Sequence, residues 1–206
     1  MNQPSRYTAF LDASVLFSVF KSNFILFLSQ SELFRVRWSS DVHEEWIRAQ
    51  MERRQNISRE ALERKRSIMD SQFPDALVTG YENLIGNYKL DDPDDRHVVA
   101  AAEKGNANVI VTENPKDFPA DRIPKSIIVQ TADQFLADQF DVSISSARQV
   151  AIAMIRHQNS LTKSRPSWKT YCEIFAARFP LSNELATTKD FENTVEIVLE
   201  SGEWKF

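Results

Sequence analysis

Short apolar runs alternate with amphipathic stretches through the first two thirds of the chain, and the alternation stops after Thr131. Residues 7–11 (YTAFL) form a run of strand length that ends at Asp12. Over residues 14–28, Val15, Leu16, Val19, Phe20, Ile25, Leu26 and Leu28 recur at helical spacing, with Ser14 placed to cap the helix. Residues 35–38 read as a second strand. Ser39 or Ser40 then caps a helix running to about Glu52, with Val42, Trp46 and Ile47 as its apolar stripe. Ser58 opens another, to about Met69, with Glu60 and Glu63 in early turns where the helix dipole favours anions. Residues 76–79 suggest a strand. DDRHVVAAAEKG, from Asp94, predicts a helix with acids at its start and Gly105 at its end. VIVT (109–112) and IIVQ (127–130) have the length and content of buried strands.

Strands and helices in alternation predict a parallel α/β sheet over residues 1–130. Beyond that point residues 132–139, 145–158 and 166–177 read as helices, and 182–191 as a weaker one. TKSRP (162–166) reads as a joint. The expected organisation is a sheet domain over 1–130 and a helical extension over 131–206.

Composition narrows the function classes. The 206 residues are 42% hydrophobic and 26% charged, as in ordinary globular proteins. A net charge of −4 excludes nucleic-acid binding by bulk charge. Binding RNA would need a local basic patch, or cations that reverse the sign of an acidic site. A single cysteine, Cys172, excludes an internal disulfide and fits a reducing compartment. One cysteine and three histidines also exclude a Cys/His metal cluster. The polar start and the absence of a run of about 20 apolar residues predict a cytoplasmic protein with no membrane contact.

The chemistry concentrates in acids. In an open parallel sheet, sites lie beyond the carboxyl ends of the strands. Asp12 ends the first strand, and Asn114 and Asp117 follow the VIVT strand. Asp94 and Asp95 open a helix, and Glu45 lies in the helix after the second strand. Glu44 points about 100° away from Glu45 on that helix. Carboxylates converging on one point repel each other unless a cation joins them, and oxygen ligands suit Mg²⁺ or Mn²⁺. Each acid also has a plain reading. Asp12 and the run Asp91, Asp92, Asp94 and Asp95 can serve as caps, Asp117 as a turn residue, and Glu45 as part of a solvated face.

FLDASVLFS, SSDVHEEW, DPDDRHVVAAA and VTENPKDFP, in that order over roughly residues 8–129, resemble the signature blocks of PIN domains. They are most similar to the VapC-type toxins of bacterial toxin–antitoxin systems. The resemblance implies a three-layer α/β/α fold with a central parallel sheet, followed by a C-terminal helical extension. It implies an endoribonuclease that uses Mg²⁺ or Mn²⁺ and acts on RNA, transfer RNA being a common target. It also implies a cognate antitoxin partner and a possible homodimer. Asp12, Glu45 and Asp95 map onto the metal-binding acids. The fourth acid of many PIN domains falls here on Asn114, an uncharged oxygen ligand, with Asp117 the nearest carboxylate. Ser14 and Thr112 are the hydroxyls that orient the acids, and with Arg96 they face the substrate.

Arg53, Arg54, Arg59, Arg64, Lys65 and Arg66 offer either a phosphate-binding patch or a solvated helix face, since Glu52, Glu60 and Glu63 interleave. Three alternatives remain open at this point. A stand-alone RNA-processing nuclease keeps the fold and drops the antitoxin. A PIN-like scaffold binds RNA or protein without cleaving. A phosphatase of the haloacid dehalogenase type needs a second Asp two residues after the first, where this chain has Ser14.

Overall fold

The computed structural model describes residues 7–54, 56–141, 144–161 and 165–205. Five strands form one parallel sheet in the order β3-β2-β1-β4-β5. They are β1 (Thr8–Leu11), β2 (Arg35–Ser39), β3 (Leu77–Val78), β4 (Val109–Val111) and β5 (Ile128–Gln130). Successive side chains of a strand point to opposite faces. Every residue of β1 and of β4 is buried, so both faces of the sheet centre are covered, which makes the architecture α/β/α. Chain order runs outward from β1 through β2 to β3, then crosses to β4 on the other side of β1. The topological switch point therefore lies between β1 and β4, where parallel sheets open a crevice.

Contacts divide the chain into two units, residues 1–19 with 34–131, and residues 20–33 with 132–206. The first holds the sheet with α1 (Ala13–Phe17), α3 (Ser40–Arg53), α4 (Arg59–Gln72) and α5 (Arg96–Lys104). The second holds most of α2 (Val19–Ser29), with α6 (Ala132–Asp141), α7 (Ile144–Ser160), α8 (Trp168–Arg178), α9 (Pro180–Ala186) and α10 (Lys189–Ser201). A division by chain order at residue 130 assigns α2 to the sheet half instead.

Several local readings change. The single helix expected over 14–28 is two, α1 and α2, because Ser18 takes an extended conformation (ψ 104°) and its N–H turns back to the carbonyl of Val15. The cap of α1 is Asp12 rather than Ser14, its carboxylate accepting from the Ser14 N–H at 3.4 Å. The helix expected from Asp94 starts as a 3-10 turn, Pro93–Asp95, capped by Asp92, and becomes α-helical only at Arg96. Gly105 ends α5 at φ −78°, so it is not a left-handed cap; Asn106 takes that conformation. A Cβ at Gly105 would stand 2.9 Å from the Val78 side chain, so close packing is what requires glycine there. The weak helix expected over 182–191 is the end of α9 and the start of α10, parted by Thr188, whose hydroxyl caps α10. The joint expected at 162–166 falls mostly on residues 162–164, which lie outside the described residues.

In the sheet unit, Trp38, Trp46 and Tyr81 are almost wholly buried. The Tyr81 hydroxyl donates to Asp41 at 2.9 Å, and His43 accepts from Trp46 Nε1 at 2.9 Å and donates to Asp70 at 3.1 Å. Trp38 Nε1 donates to the same Asp70 oxygen at 2.9 Å. His43 is therefore a core histidine, held below the ordinary imidazole pKa by burial despite Asp70. The helical unit is built on clustered aromatics, with Phe24, Phe175 and Phe179 in edge-on and tilted contact at centroid distances of 5.1–5.6 Å. Asp133 of α6 accepts from the N–H groups of Leu181 and Ser182, satisfying the first turn of α9.

Candidate active site

The end of β1 and the end of β4 bring the first elements of the site together. The register pairs Leu11 with Val111, and the Asp12 N–H continues the ladder to the Val111 carbonyl at 3.0 Å. Asp12 and Thr112 thus stand side by side at the switch point. Thr112 Oγ1 donates to Asp12 Oδ2 at 2.8 Å, and Ser14 Oγ donates to the same oxygen at 2.5 Å. The two hydroxyls lie 3.2 Å apart. They in turn accept from the chain after β4: the Glu113 N–H reaches Ser14 Oγ at 2.9 Å and the Asn114 N–H reaches Thr112 Oγ1 at 3.1 Å. A hydrogen-bonded knot locks the rotamer of Asp12 and ties the two strand ends together. Thr112 is fully buried, and its hydroxyl donates to Asp12.

Helix α3 supplies the next carboxylate. Glu44 and Glu45 diverge as helical geometry requires. Glu44 is exposed and pairs with Arg59 at 2.7 Å and Arg66 at 3.6 Å. Glu45 is partly buried and accepts from His97 at 2.9 Å. His97 is the second residue of α5, two places after Asp95. No local sequence signal joined it to Glu45, 52 residues away. The hint available was a single histidine inside the otherwise apolar face of HVVAAA.

Asp95 reports how these groups converge. Burial, then the charges of Asp117, Asp92, Asp12 and Glu45, push its pKa from the ordinary 3.8 up to about 6. Five carboxylates from four separate segments thus share one region of field. Asp92, which sequence reading placed only in a capping run, contributes to that field and also accepts from the Asp94 N–H at 2.9 Å. Asp94 is exposed, and Asp91 pairs with Arg122. His97 feels the same field. Burial pulls its pKa down, but the Glu45 hydrogen bond and the charges of Glu45, Asp41 and Asp12 outweigh that, and it stands above the ordinary value. Asn114 precedes and Asp117 ends a short 3-10 turn after β4, and both are exposed. The Arg96 Nε is buried and has no hydrogen-bond partner among the described residues, and no ion pair there ties Arg96 to the acidic loop.

The donor set fits a hard divalent cation in its chemistry. It consists of carboxylate oxygens, crowded enough to raise one of their own pKa values, with Asp12 and Glu45 already oriented by neighbours. Among the described residues, no three His, Cys, Asp or Glu side chains stand close enough together to hold an ion as placed.

The basic segment is largely spent on the protein itself. Arg59 and Arg66 bridge Glu44 and Glu63, and Arg66 also reaches Asp70 at 3.8 Å. Arg53 lies over the Phe17 ring and Lys65 over the Trp46 ring. Burial, with Arg54 nearby, brings Lys65 down to about 8. Arg54 and Arg64 are the exposed cations of this segment outside those contacts.

Part of the chain is similar to a protein of Mycobacterium tuberculosis named "Putative ribonuclease VapC50", with 38% identity over 98 residues. The match covers 43% of this chain and 55% of that protein, so the chain spans about half the length of its curated relative. No family model matches the chain, and no solved structure matches it. The similarity supports a VapC-like, PIN-like assignment at the level of family, and the parallel sheet with its helical layers and added C-terminal helices is a PIN-like fold. No helix among the described residues is long and apolar enough to cross a membrane.

Proposed function

We propose that this protein is a metal-dependent endoribonuclease and the toxin of a toxin–antitoxin pair, using Asp12, Glu45, Asp95 and Asp117 at the switch point. The observation that carries the reading is Asp95, whose carboxyl is pushed to about 6 by burial and by four other carboxylates. Carboxylates gathered so that one of them is shifted in this way are a recurrent mark of functional sites. Mg²⁺ or Mn²⁺ is the cofactor that this donor set suits. Asp12, Glu45 and Asp95 would hold it, with Asn114 as an uncharged oxygen ligand and Asp117 adding charge. A divalent ion held there supplies a Lewis acid for the phosphoryl group and lowers the pKa of bound water.

The chain's own part is positioning. Ser14 and Thr112 donate to Asp12 and hold it in one rotamer. The three acids come from the residue after β1, from α3 and from the turn that leads into α5. Arg96, next to Asp95 in the sequence, is the residue this reading assigns to a phosphate oxygen. The similarity to a protein named as a VapC ribonuclease adds RNA as substrate and an antitoxin as partner to this reading.

The test is cleavage of total RNA by purified protein with Mg²⁺, with Mn²⁺ and with EDTA, beside Asp12→Ala and Asp95→Ala. Cutting that needs metal and disappears in both variants is the expected result. That no three such side chains among the described residues stand close enough to hold an ion as placed favours a second reading, a PIN-like scaffold that binds RNA without cutting. RNA binding by folded, antitoxin-free protein with no cutting under any metal selects that reading instead.

A further inference from the structure

Resting on the nuclease reading above, we propose that His97 is a positioning residue for the metal site. Its role is to fix Glu45 so that one carboxylate oxygen stays free to bind a divalent cation. His97 Nε2 lies 2.9 Å from Glu45 Oε1, and a carboxylate can only accept, so the ring carries a hydrogen on Nε2 and donates it. Glu45 has no second hydrogen bond among the described residues. Its Oε2 is thus left to a ligand while Oε1 is spoken for. A glutamate side chain has three rotatable bonds and gives up rotamer freedom when it is fixed. A single donor on Oε1 takes up that ordering in advance.

The anchoring is rigid at the histidine end. The His97 side chain is only 11% exposed, and Val98 to Ala102 behind it are buried. Its other nitrogen, Nδ1, is buried with no hydrogen-bond partner among the described residues. An imidazole held with one nitrogen unsatisfied is poor design for stability alone. It is reasonable where the ring is kept for what Nε2 does. The same short segment that presents Asp95 therefore also aims Glu45, joining α5 to α3 across the site. Histidine and carboxylate partners behind metal ligands change affinity by about 10- to 100-fold when removed.

The experiment is a Mn²⁺ titration of full-length protein, with free Mn²⁺ read by electron paramagnetic resonance, on wild type and three variants. His97→Ala removes the donor. His97→Gln places an amide nitrogen near the position of Nε2, and His97→Asn places one near Nδ1, too short to reach Glu45. The expected result is Mn²⁺ binding weakened about 10-fold or more in His97→Ala and His97→Asn, with most of the loss recovered in His97→Gln. RNA cutting by the weakened variants should return as Mn²⁺ is raised, with the rate at saturating metal close to wild type. Wild-type affinity in His97→Ala, or His97→Gln as weak as His97→Asn, overturns the proposal while leaving the nuclease site standing. Wild type that binds no Mn²⁺ overturns both. If His97→Ala melts at the temperature of the assay, the Gln and Asn pair decides the question, because both keep a polar amide of similar bulk.

Discussion

Asp95→Asn should make the metal-free protein more stable. The substitution keeps the shape of the side chain and removes a charge that burial and four other carboxylates disfavour. The rise from 3.8 to about 6 corresponds to about 3 kcal/mol at full value. Asp95 keeps part of its contact with water, and screening brings the expected gain to about 1–2 kcal/mol. For a chain of this length that is about 3–6 °C in melting temperature. The sign with pH follows from linkage. The folded pKa lies above the unfolded one, so protonation favours the folded state. The penalty in wild type is full above about pH 6 and fades as pH falls toward 3.8. The assay is thermal melting in EDTA at pH 7.5, 5 and 4 for both proteins. The gap should be widest at pH 7.5, roughly halved at pH 5 and small at pH 4. Equal melting temperatures at pH 7.5, or a gap that does not change with pH, would refute the crowding of charge on which the site rests.

Thr112→Val keeps the shape of a fully buried side chain but removes the donor to Asp12 and the acceptor of the Asn114 N–H. It should cost about 1–2 kcal/mol in urea unfolding and reduce RNA cutting. Glu44→Ala should leave cutting intact and cost less than about 1 kcal/mol, since its pairs with Arg59 and Arg66 are exposed, whereas Glu45→Ala should abolish cutting. Parallel RNA assays and melts separate the two. In the helical unit, burial drives His157 down from 6.5 to about 4, so stability should fall as pH drops from 6.5 toward 4, by about 3 kcal/mol in all. His157→Leu should remove that part of the acid sensitivity, and a pH series of melts in which both proteins lose stability alike speaks against it.

Some of this was written in local sequence. Strand runs were legible because consecutive apolar residues buried on both faces of a parallel sheet leave an unbroken signal, as in β1 and β4. Caps were legible where a serine precedes a periodic stretch, as at Ser39 and Ser58. Asp12 was legible because a strand ending at the open edge of a sheet presents the next residue there. The divergence of Glu44 from Glu45 followed from 3.6 residues per turn alone. The break between α1 and α2 was not legible, because Val19 and Phe20 continue the helical periodicity across it. What separates them is that Val19 falls with the sheet unit and Phe20 with the helical one. The fates of the arginines between Arg53 and Arg66 were equally hidden, since the pairing of Arg59 with Glu44 joins residues on two helices.

The sequence by itself determined which carboxylates were available and that all of them but Glu45 sit at the end or start of an element, because strand ends and helix starts are fixed by short-range patterns. Only the tertiary structure decided which of them share a field. The strand order that sets β4 beside β1 brings Thr112 and Ser14 onto Asp12, and the packing of α5 near α3 puts His97 on Glu45. Hydrogen bonds act over about 3 Å and charge coupling over about 10 Å of space, whatever the separation along the chain. So the pKa of Asp95 and the aim of Glu45 were properties of the fold.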